Sequence, residues 1–532
     1  MGCVDTLSRE ITLRPTIRLS KDGYEEQFNS SETNWSVRSD DGVESWTWDI
    51  PDFDGFEQTP GDKGWFTRLP YGLVGYLEKS WIQSPCFDFS GMDRPVIKLD
   101  IMKSFVPSMN GAVLQYMDVN EEGWKTIGAS TPGIKWYNVL NIYNKPGGSS
   151  IGWGLNVFNP DNDWVTAIHD LNDLVGNPNV TFRIAIATTG AQGIGNQGFA
   201  FDNVAINERS KRAVLEHFTN SSDATSRSAD DVIDAYGKTY SKDVIDLQYH
   251  MSYPGTDPMN VNNPNPPSTR EFFYGIPQVP YAILDGGVET YHRYDFSDLK
   301  TTPDGDQINL LSLEIPSFDI DLEVDWMEGG MDATTTVTCV ADQYTDNIQL
   351  YLVVFESSVT AYTGGNGDTE FRNVVLDMLP SPAGRLLGGN WYKNVSDIRT
   401  HSWVYAPYVE DVEDLGVAAF VQDRTTGRIL QAAVSYKNPL VGVGGRPTET
   451  GSLHVYPNPA RNSFYINLGM RTEDDGMIRL TDMGGRVVLS EHVPAGYQIY
   501  QVDIQHLNQG MYIIHYMESG KIRGLSKIVK SR

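Results

Sequence analysis

The sequence predicts a multidomain, mostly β protein: a β-sandwich, a strand–helix–strand unit with a second sandwich behind it, and a small Ig-like sandwich at the end. Three observations carry that prediction. At 532 residues the chain is too long for one hydrophobic core. Short segments of alternating apolar and polar residues recur through most of it, and helical periodicity is scarce. A Gly- and Pro-rich stretch without apolar periodicity, Asn438 to Gly451, reads as a linker, and the charge changes across it. Residues 451–532 carry 9 Lys/Arg against 7 Asp/Glu, whereas the whole chain has 41 against 69 and a formal charge of −28.

That charge opposes nucleic acid and anionic lipid, which require Lys and Arg to displace counterions. The longest apolar run, Leu350 to Phe355, is far short of the roughly 20 residues that span a bilayer, so no transmembrane helix is expected. Cys3, Cys86 and Cys339 are too few and scattered for a disulfide framework or a thiolate metal site, and Cys86 and Cys339, in strand-like stretches, read as buried apolar residues. Met1-Gly2-Cys3 with Thr6 fits a myristoylation pattern, but the start reads instead as a truncation downstream of an export signal.

Residues 1–27 are taken as an N-terminal segment and 28–209 as the first sandwich. In it Ile97, Leu99 and Ile101 alternate with polar neighbours, as a half-buried strand requires. Val113 to Val119 and Trp124 to Ile127 flank a turn. Phe199, Phe201, Val204 and Ile206 give a closing strand with a change of phase at Asp202-Asn203, and Val165 to Leu174 reads as a short helix. Many short antiparallel strands make a jelly-roll β-sandwich the natural solution. Nine of the twelve tryptophans lie at or before Trp164. Exposed indoles stack on sugar rings, but Trp is mostly a core residue, and both uses are open here.

The order Trp46 … SPCFDFSG (84–91) … Trp124 … Phe182-Arg183 … GFAFDNVAI (198–206) resembles the MAM-like jelly-roll domains of exported Bacteroidetes proteins. The resemblance implies adhesion or accessory binding. It also makes Asp202 a candidate for a structural calcium, set against an Asp that caps its own turn; no other cofactor is expected.

Residues 210–305 open with a strand at Val214 to Phe218 and a helix whose Ala229, Val232, Ile233 and Tyr236 share a face. A second strand follows at Val244 to Tyr249, and then a Pro-led one from Val279 to Gly286. This is the order of a thioredoxin-like α/β unit. The segments LEHFTN (215–220), DLQYH (246–250), GTDPM (255–259), REFFYGIPQVPYAILDG (270–286), FRNVVLDMLPSPAG (371–384) and LGVAAFVQD (415–423) resemble the thioredoxin-like outer-membrane proteins of the Bacteroidetes twenty-eight-kilodalton family. The resemblance implies a cis Pro280 and a following Ig-like β-sandwich, here residues 306–438. Alternation of Phe318, Ile320, Leu322, Val324 and Trp326 with four acids supports that sandwich independently.

Many relatives carry Cys-x-x-Cys where this chain has Asp223-Ala224-Thr225-Ser226. A hydroxyl cannot perform thiol–disulfide exchange, so Asp223, Ser226 and Pro280 mark a degenerate thioredoxin site. Ser221, Ser222 and Ser226 lie near His217 and His250, but no G-x-S-x-G elbow accompanies them, and capping accounts for them more simply. No catalytic residue is assigned, and the chain is read as non-enzymatic.

Past the linker (439–451), residues 452–532 alternate through about seven short strands. VYPNPA (455–460), LTDMGGRVV (480–488), LNQGMYIIHY (507–516) and SKIVK (526–530) resemble, in order, the type A C-terminal sorting domain of the Bacteroidetes type IX secretion system. The residues carrying that signal are Pro457, Asn458, Pro459, Gly484, Gly485, Arg486, Gly510, Tyr512, Lys521, Lys527 and Lys530. The resemblance implies handling by the type IX secretion machinery, passage across the outer membrane, and release or attachment to surface lipopolysaccharide, usually with loss of the tail. The expected function is a secreted or surface-attached binding or adhesion protein for a glycan or surface protein. Alternatives are an accessory region of a larger secreted hydrolase, or a degenerate thioredoxin-like peptide binder.

Overall fold

The computed structural model describes residues 16–531, apart from 21–22, 41, 51–61, 68–76, 106, 119–122, 156–162, 190–197, 297–302, 346, 439–450, 457, 468–474, 483–486, 496, 498 and 519–520. The chain divides into two compact units, Met1–Val443 and Gly444–Arg532.

The first unit opens with two sheets face to face. One runs Thr16–Arg18, Leu77–Asp88, Val180–Thr189, Gly111–Asp118, Lys125–Thr126, with Ser36–Ser39 also on Leu77–Asp88. The other runs Val165–Asp170, Pro95–Ser104, Gly198–Glu208, Gly64–Thr67, Trp46–Asp49, with Tyr24–Glu26 on Gly198–Glu208. Ile97, Leu99, Ile101, Phe182, Ile184 and Phe199 meet between them, and each such buried side chain contributes about 1.5–3 kcal/mol. The change of phase expected at Asp202-Asn203 is a register shift between Asp202 and Ala205, with Asn203 at φ 49°.

Two expectations need correction. The described part of the expected segment 1–27 is not separate, because Thr16–Arg18 and Tyr24–Glu26 each pair with a sandwich strand. Val165 to Leu174 is not a helix: Val165–Asp170 is a strand, and only Asn172–Leu174 turns, as one 3₁₀ turn. Ala167 and Ile168 are both buried there, and pairing with Pro95–Ser104 outweighs local preference.

Behind the sandwich, strand Ala213–Thr219 leads through helix α1 (Ala224–Thr239) to the parallel strand Val244–His250. Helices α2 (Pro258–Asn262) and α3 (Asn265–Tyr274) precede strand Tyr281–Leu284, which is antiparallel to Ala213–Thr219. Helix α4 (Gly305–Leu313) straddles the expected boundary at 305/306. That boundary does not separate two sheets. One sheet runs from Arg293–Tyr294 through Tyr281–Leu284, Ala213–Thr219 and Val244–His250 into Phe371–Leu379, Ile348–Val359, Leu415–Asp423 and Ile429–Tyr436, joined at Gln248↔Val374. Val214, Leu247, Val353, Val375 and Phe420 share one core across it. A three-stranded sheet, Phe318–Trp326, Gly330–Cys339 and Ser396–Val404, covers the far part.

In the second unit, two sheets of five and three strands enclose Phe464, Ile466, Leu480, Val502 and Ile514.

Candidate functional site

At the C-terminal end of Ala213–Thr219 the chain turns into α1. Asp223 is the N-cap, its Oδ2 accepting the Ser226 amide at 2.6 Å. Ser226 is fully buried and its Oγ accepts the Asn220 amide at 3.3 Å. Asn220 donates to the carbonyls of Met251 (2.7 Å) and Gly255 (2.8 Å) and accepts the Ser222 amide (2.8 Å), while Ser222 donates to the Thr256 carbonyl (2.7 Å). The Val279–Pro280 peptide is cis, and Tyr281 pairs with Phe218, so Pro280 lies at the same sheet end as Asp223 and Ser226.

Two imidazoles lie behind this loop. His250 Nδ1 meets Asp257 Oδ2 at 2.9 Å, and the Ser221 amide donates to the same oxygen at 2.7 Å. These bonds hold the Asp257 carboxyl below its ordinary range against the opposing effect of burial. Burial pushes His217 down to about 3, leaving it neutral at pH 7, and pushes Asp230 up, although Nε2 and Oδ1 are 3.4 Å apart. Ser221 Oγ and His250 Nε2 are buried and share no hydrogen bond. A serine nucleophile requires that bond to its base, and the hydroxyls of Ser222 and Ser226 are engaged elsewhere. The arrangement holds a loop together.

Asp202 is 2 % exposed and accepts the Asn203 amide at 2.7 Å. Asp100, opposite it in register, accepts from Asn203 Nδ2 (2.9 Å) and Thr166 Oγ1 (2.6 Å). Calcium takes six to eight oxygen ligands; here hydrogen-bond donors occupy the carboxylates. The described residues around Asp202 do not fit a calcium shell, and none of the described residues group three or more His, Cys, Asp or Glu side chains suited to a metal.

None of the twelve tryptophans is exposed. Trp35, Trp46, Trp65, Trp136 and Trp153 belong to the sandwich core; Trp81 and Trp124 are half-buried. Between these two lies Arg183, its guanidinium 4.9 Å from the Trp81 ring and 4.3 Å from the Trp124 ring. Its Nε donates to Gln115 Oε1 at 2.8 Å. Arg183 is 9 % exposed, and desolvation lowers it to about 10 despite the field of Asp40. The sequence reading missed its role. The signal was the strand itself: Phe182, Ile184 and Ile186 face the core, while the other face carries Arg183 among Ala185 and Ala187.

A cavity lined by Met259, Asn262, Glu356, Tyr362 and Tyr408 among others has about 10 Å³ of space, room for one water.

In the second unit Asn458 ties its loop to the strand Lys521–Lys530. Its Nδ2 donates to the Lys527 carbonyl (3.0 Å), its Oδ1 accepts the Val529 amide (2.9 Å), and Asn458–Pro459 is cis. Tyr512 is buried, with its hydroxyl on the Asn508 carbonyl at 2.7 Å. Gly510 opens its strand at φ 157°, and Lys530 Nζ bonds the Arg461 carbonyl. Lys521 pairs through its backbone with Glu518. Pro457, Gly484, Gly485 and Arg486 lie outside the described residues.

The profile of one family, described as a secretion system C-terminal sorting domain, matches residues 454–531. No curated protein matches the chain. Among solved structures it is similar to HBP35 of Porphyromonas gingivalis (16 % identity, TM-score 0.34, 60 % of this chain and 99 % of that one). It is also similar to the K1 cleaved adhesin domain of Lys-gingipain from P. gingivalis W83 (13 %, 0.22, 35 % and 97 %). A third is a domain of the outer membrane lipoprotein Omp28 from P. gingivalis (12 %, 0.17, 24 % and 91 %). No helix among the described residues is long and apolar enough to cross a membrane. Residues 454–531 are a type IX sorting signal, and they direct the chain to the cell surface or the extracellular space.

Proposed function

We propose that the chain is a non-catalytic binding or adhesion protein of the bacterial surface, delivered by the type IX machinery. Its parts are a MAM-like jelly roll, a cysteine-free thioredoxin-like unit merged with a β-sandwich, and the sorting domain. The observation that carries this is the start of α1, where redox relatives hold thiols and this chain holds Asp223, whose carboxylate caps the helix, and Ser226, whose hydroxyl accepts the Asn220 amide. The strand order 293–294, 281–284, 213–219, 244–250 supports the thioredoxin-like reading. No cofactor enters this reading.

The ligand is a glycan or a surface protein. Its test is a glycan and glycoprotein array probed with the full chain, with Ca²⁺ and with chelator, beside hydrolase and disulfide-reductase assays of the same sample. Defined binding without turnover supports the reading; turnover that disappears on substituting Ser221 or His250 overturns it.

A second reading, peptide binding near Pro280, draws on α3, whose Phe272 is 89 % exposed and Phe273 41 %. It predicts captured peptides that are lost in Phe272→Ala and Pro280→Ala, and it fails if neither variant changes capture.

A further inference from the structure

The outer face of the first sheet carries a row of polar side chains across its strands. Antiparallel register sets Ser36 opposite Gln83, Gln83 opposite Arg183, Arg183 opposite Gln115, and Gln115 opposite Thr126. Directly opposed residues share a face. Arg183 is the centre of the row. Its guanidinium lies over the rings of both Trp81 and Trp124, and its inner nitrogen is fixed by Gln115. Gln115 is fixed in turn by Thr126 Oγ1 (3.2 Å) and the Gly147 carbonyl (3.1 Å). The two terminal nitrogens of Arg183 have no hydrogen-bond or ion-pair partner among the described residues, although Asp40 is close enough to influence it electrostatically. A guanidinium held flat in this way presents a preorganised two-pronged donor edge.

Exposed cations stand on and beside this face, together with Asp40, whose field reaches Arg183. Residues 123–160 contain Lys125, Lys135 and Lys145 and no Asp or Glu, in a chain of net charge −28. All three lysines are exposed. Arg38, also exposed, stands opposite Trp81 in register. The segment is rigidly tied to the sheet: Val139 bridges Gly152, Trp153 bridges Ala112, and Asn144 Nδ2 donates to Asn110 Oδ1 at 2.8 Å. Held this way, Tyr143 is 74 % exposed.

We propose that this face binds a carboxylate-bearing sugar of an acidic glycan, with the Arg183 donor edge on the carboxylate and Trp81 and Trp124 bordering the ring. Charge complementarity selects the ligand: in an acidic chain this face carries Arg183, Arg38 and Lys125 beside one nearby carboxylate, Asp40, and is built around a guanidinium with an open edge. The inference rests on the binding reading above and specifies its ligand.

The test measures affinity of the full chain for polygalacturonate, polysialic acid, and carboxyl-reduced polygalacturonate, all in chelator to exclude calcium bridging. The two acidic polymers separate uronate from sialate as the source of the carboxylate. Binding to at least one of them, lost on carboxyl reduction, is expected. Arg183→Lys keeps the charge and loses the fork, and should weaken binding about tenfold or more in a chain that still unfolds cooperatively. Trp124→Ala should do the same, and it decides the matter if Arg183→Lys fails to fold. No binding to either acidic polymer, equal binding to the reduced polymer, or affinity unchanged in both variants overturns the proposal. Array hits confined to neutral glycans or to peptide carboxylates would leave the wider binding reading standing and this one refuted.

Discussion

Arg94 and Asp243 join the front sandwich to the α/β part of the first unit through a buried ion pair: Arg94 NH2 lies 2.7 Å from Asp243 Oδ1, with side chains 7 % and 10 % exposed. Arg94 also donates to the carbonyls of Arg209 (3.0 Å) and Lys211 (2.8 Å), and Arg209 NH2 reaches Asp243 at 3.0 Å. The chain crosses between the two parts through the residues this cluster holds.

Asp243→Ala removes the carboxylate and leaves two buried guanidiniums facing each other. It should cost about 3–5 kcal/mol, seen as a lower urea midpoint. Loss of less than about 0.5 kcal/mol, the range of an ordinary surface substitution, would show that the junction is not held this way.

The cap of α1 is a smaller, separable contribution. Asp223→Ala should cost about 1 kcal/mol, as removal of an N-cap acceptor does. The double variant Asp223→Cys with Ser226→Cys supplies the missing sulfurs at a helix start, which lowers a thiol pKa. Insulin reduction should then appear in the double variant and be absent from the native chain. Activity in the native chain would contradict the account of this site.

How much of this was legible in the sequence follows from what each residue touches. Phe318, Ile320, Leu322, Val324 and Trp326 announce a half-buried strand because the period of two is a local property, and Phe318–Trp326 is one. The same holds for Ala213–Thr219, α1 and Val244–His250. The merged sheet was not legible, because its joint is a single register pair, Gln248↔Val374, between residues far apart in sequence. Val165–Asp170 was misread because its partner strand, not its own pattern, decides its state. Arg183 was visible as a residue but not as a site, since Trp81, Gln115 and Trp124 come to it from other segments.

Helix α1 packs on the sheet through carboxyls, which makes stability pH-dependent. Burial raises Asp246 from 3.8 to about 8 and Asp234 to about 6. Between the unfolded and folded values the fold holds a proton that the unfolded chain has released, so stability falls as pH rises from about 4 to 8. His217, pushed down to about 3, acts oppositely and destabilises as pH falls below its ordinary value of 6.5. Asp246→Asn keeps an acceptor for the Asn373 side chain, which now bonds Oδ2 at 3.1 Å. It should stabilise the chain by on the order of 2 kcal/mol at pH 8 and by far less at pH 5. An equal effect at both pH values would contradict the burial account.

The sorting unit acts at the level of the cell. Deleting residues 452–532 should leave the rest folded, since Met1–Val443 is a compact unit of its own, but held in the periplasm. Protease added to intact cells should then no longer reach it. Undiminished surface exposure of the truncated chain would contradict the role of the tail. Asn458→Ala removes both bonds from its loop to the strand Lys521–Lys530 and should destabilise that unit by about 1–2 kcal/mol.

The most direct test of the central claim is the glycan and glycoprotein array probed with the full chain, read with Ca²⁺ and with chelator. The account predicts binding to a defined set of surface ligands, unchanged by chelator and without turnover of the bound ligand. An array without binders in either condition, or hits that are cleaved on contact, would contradict a non-catalytic surface-binding role.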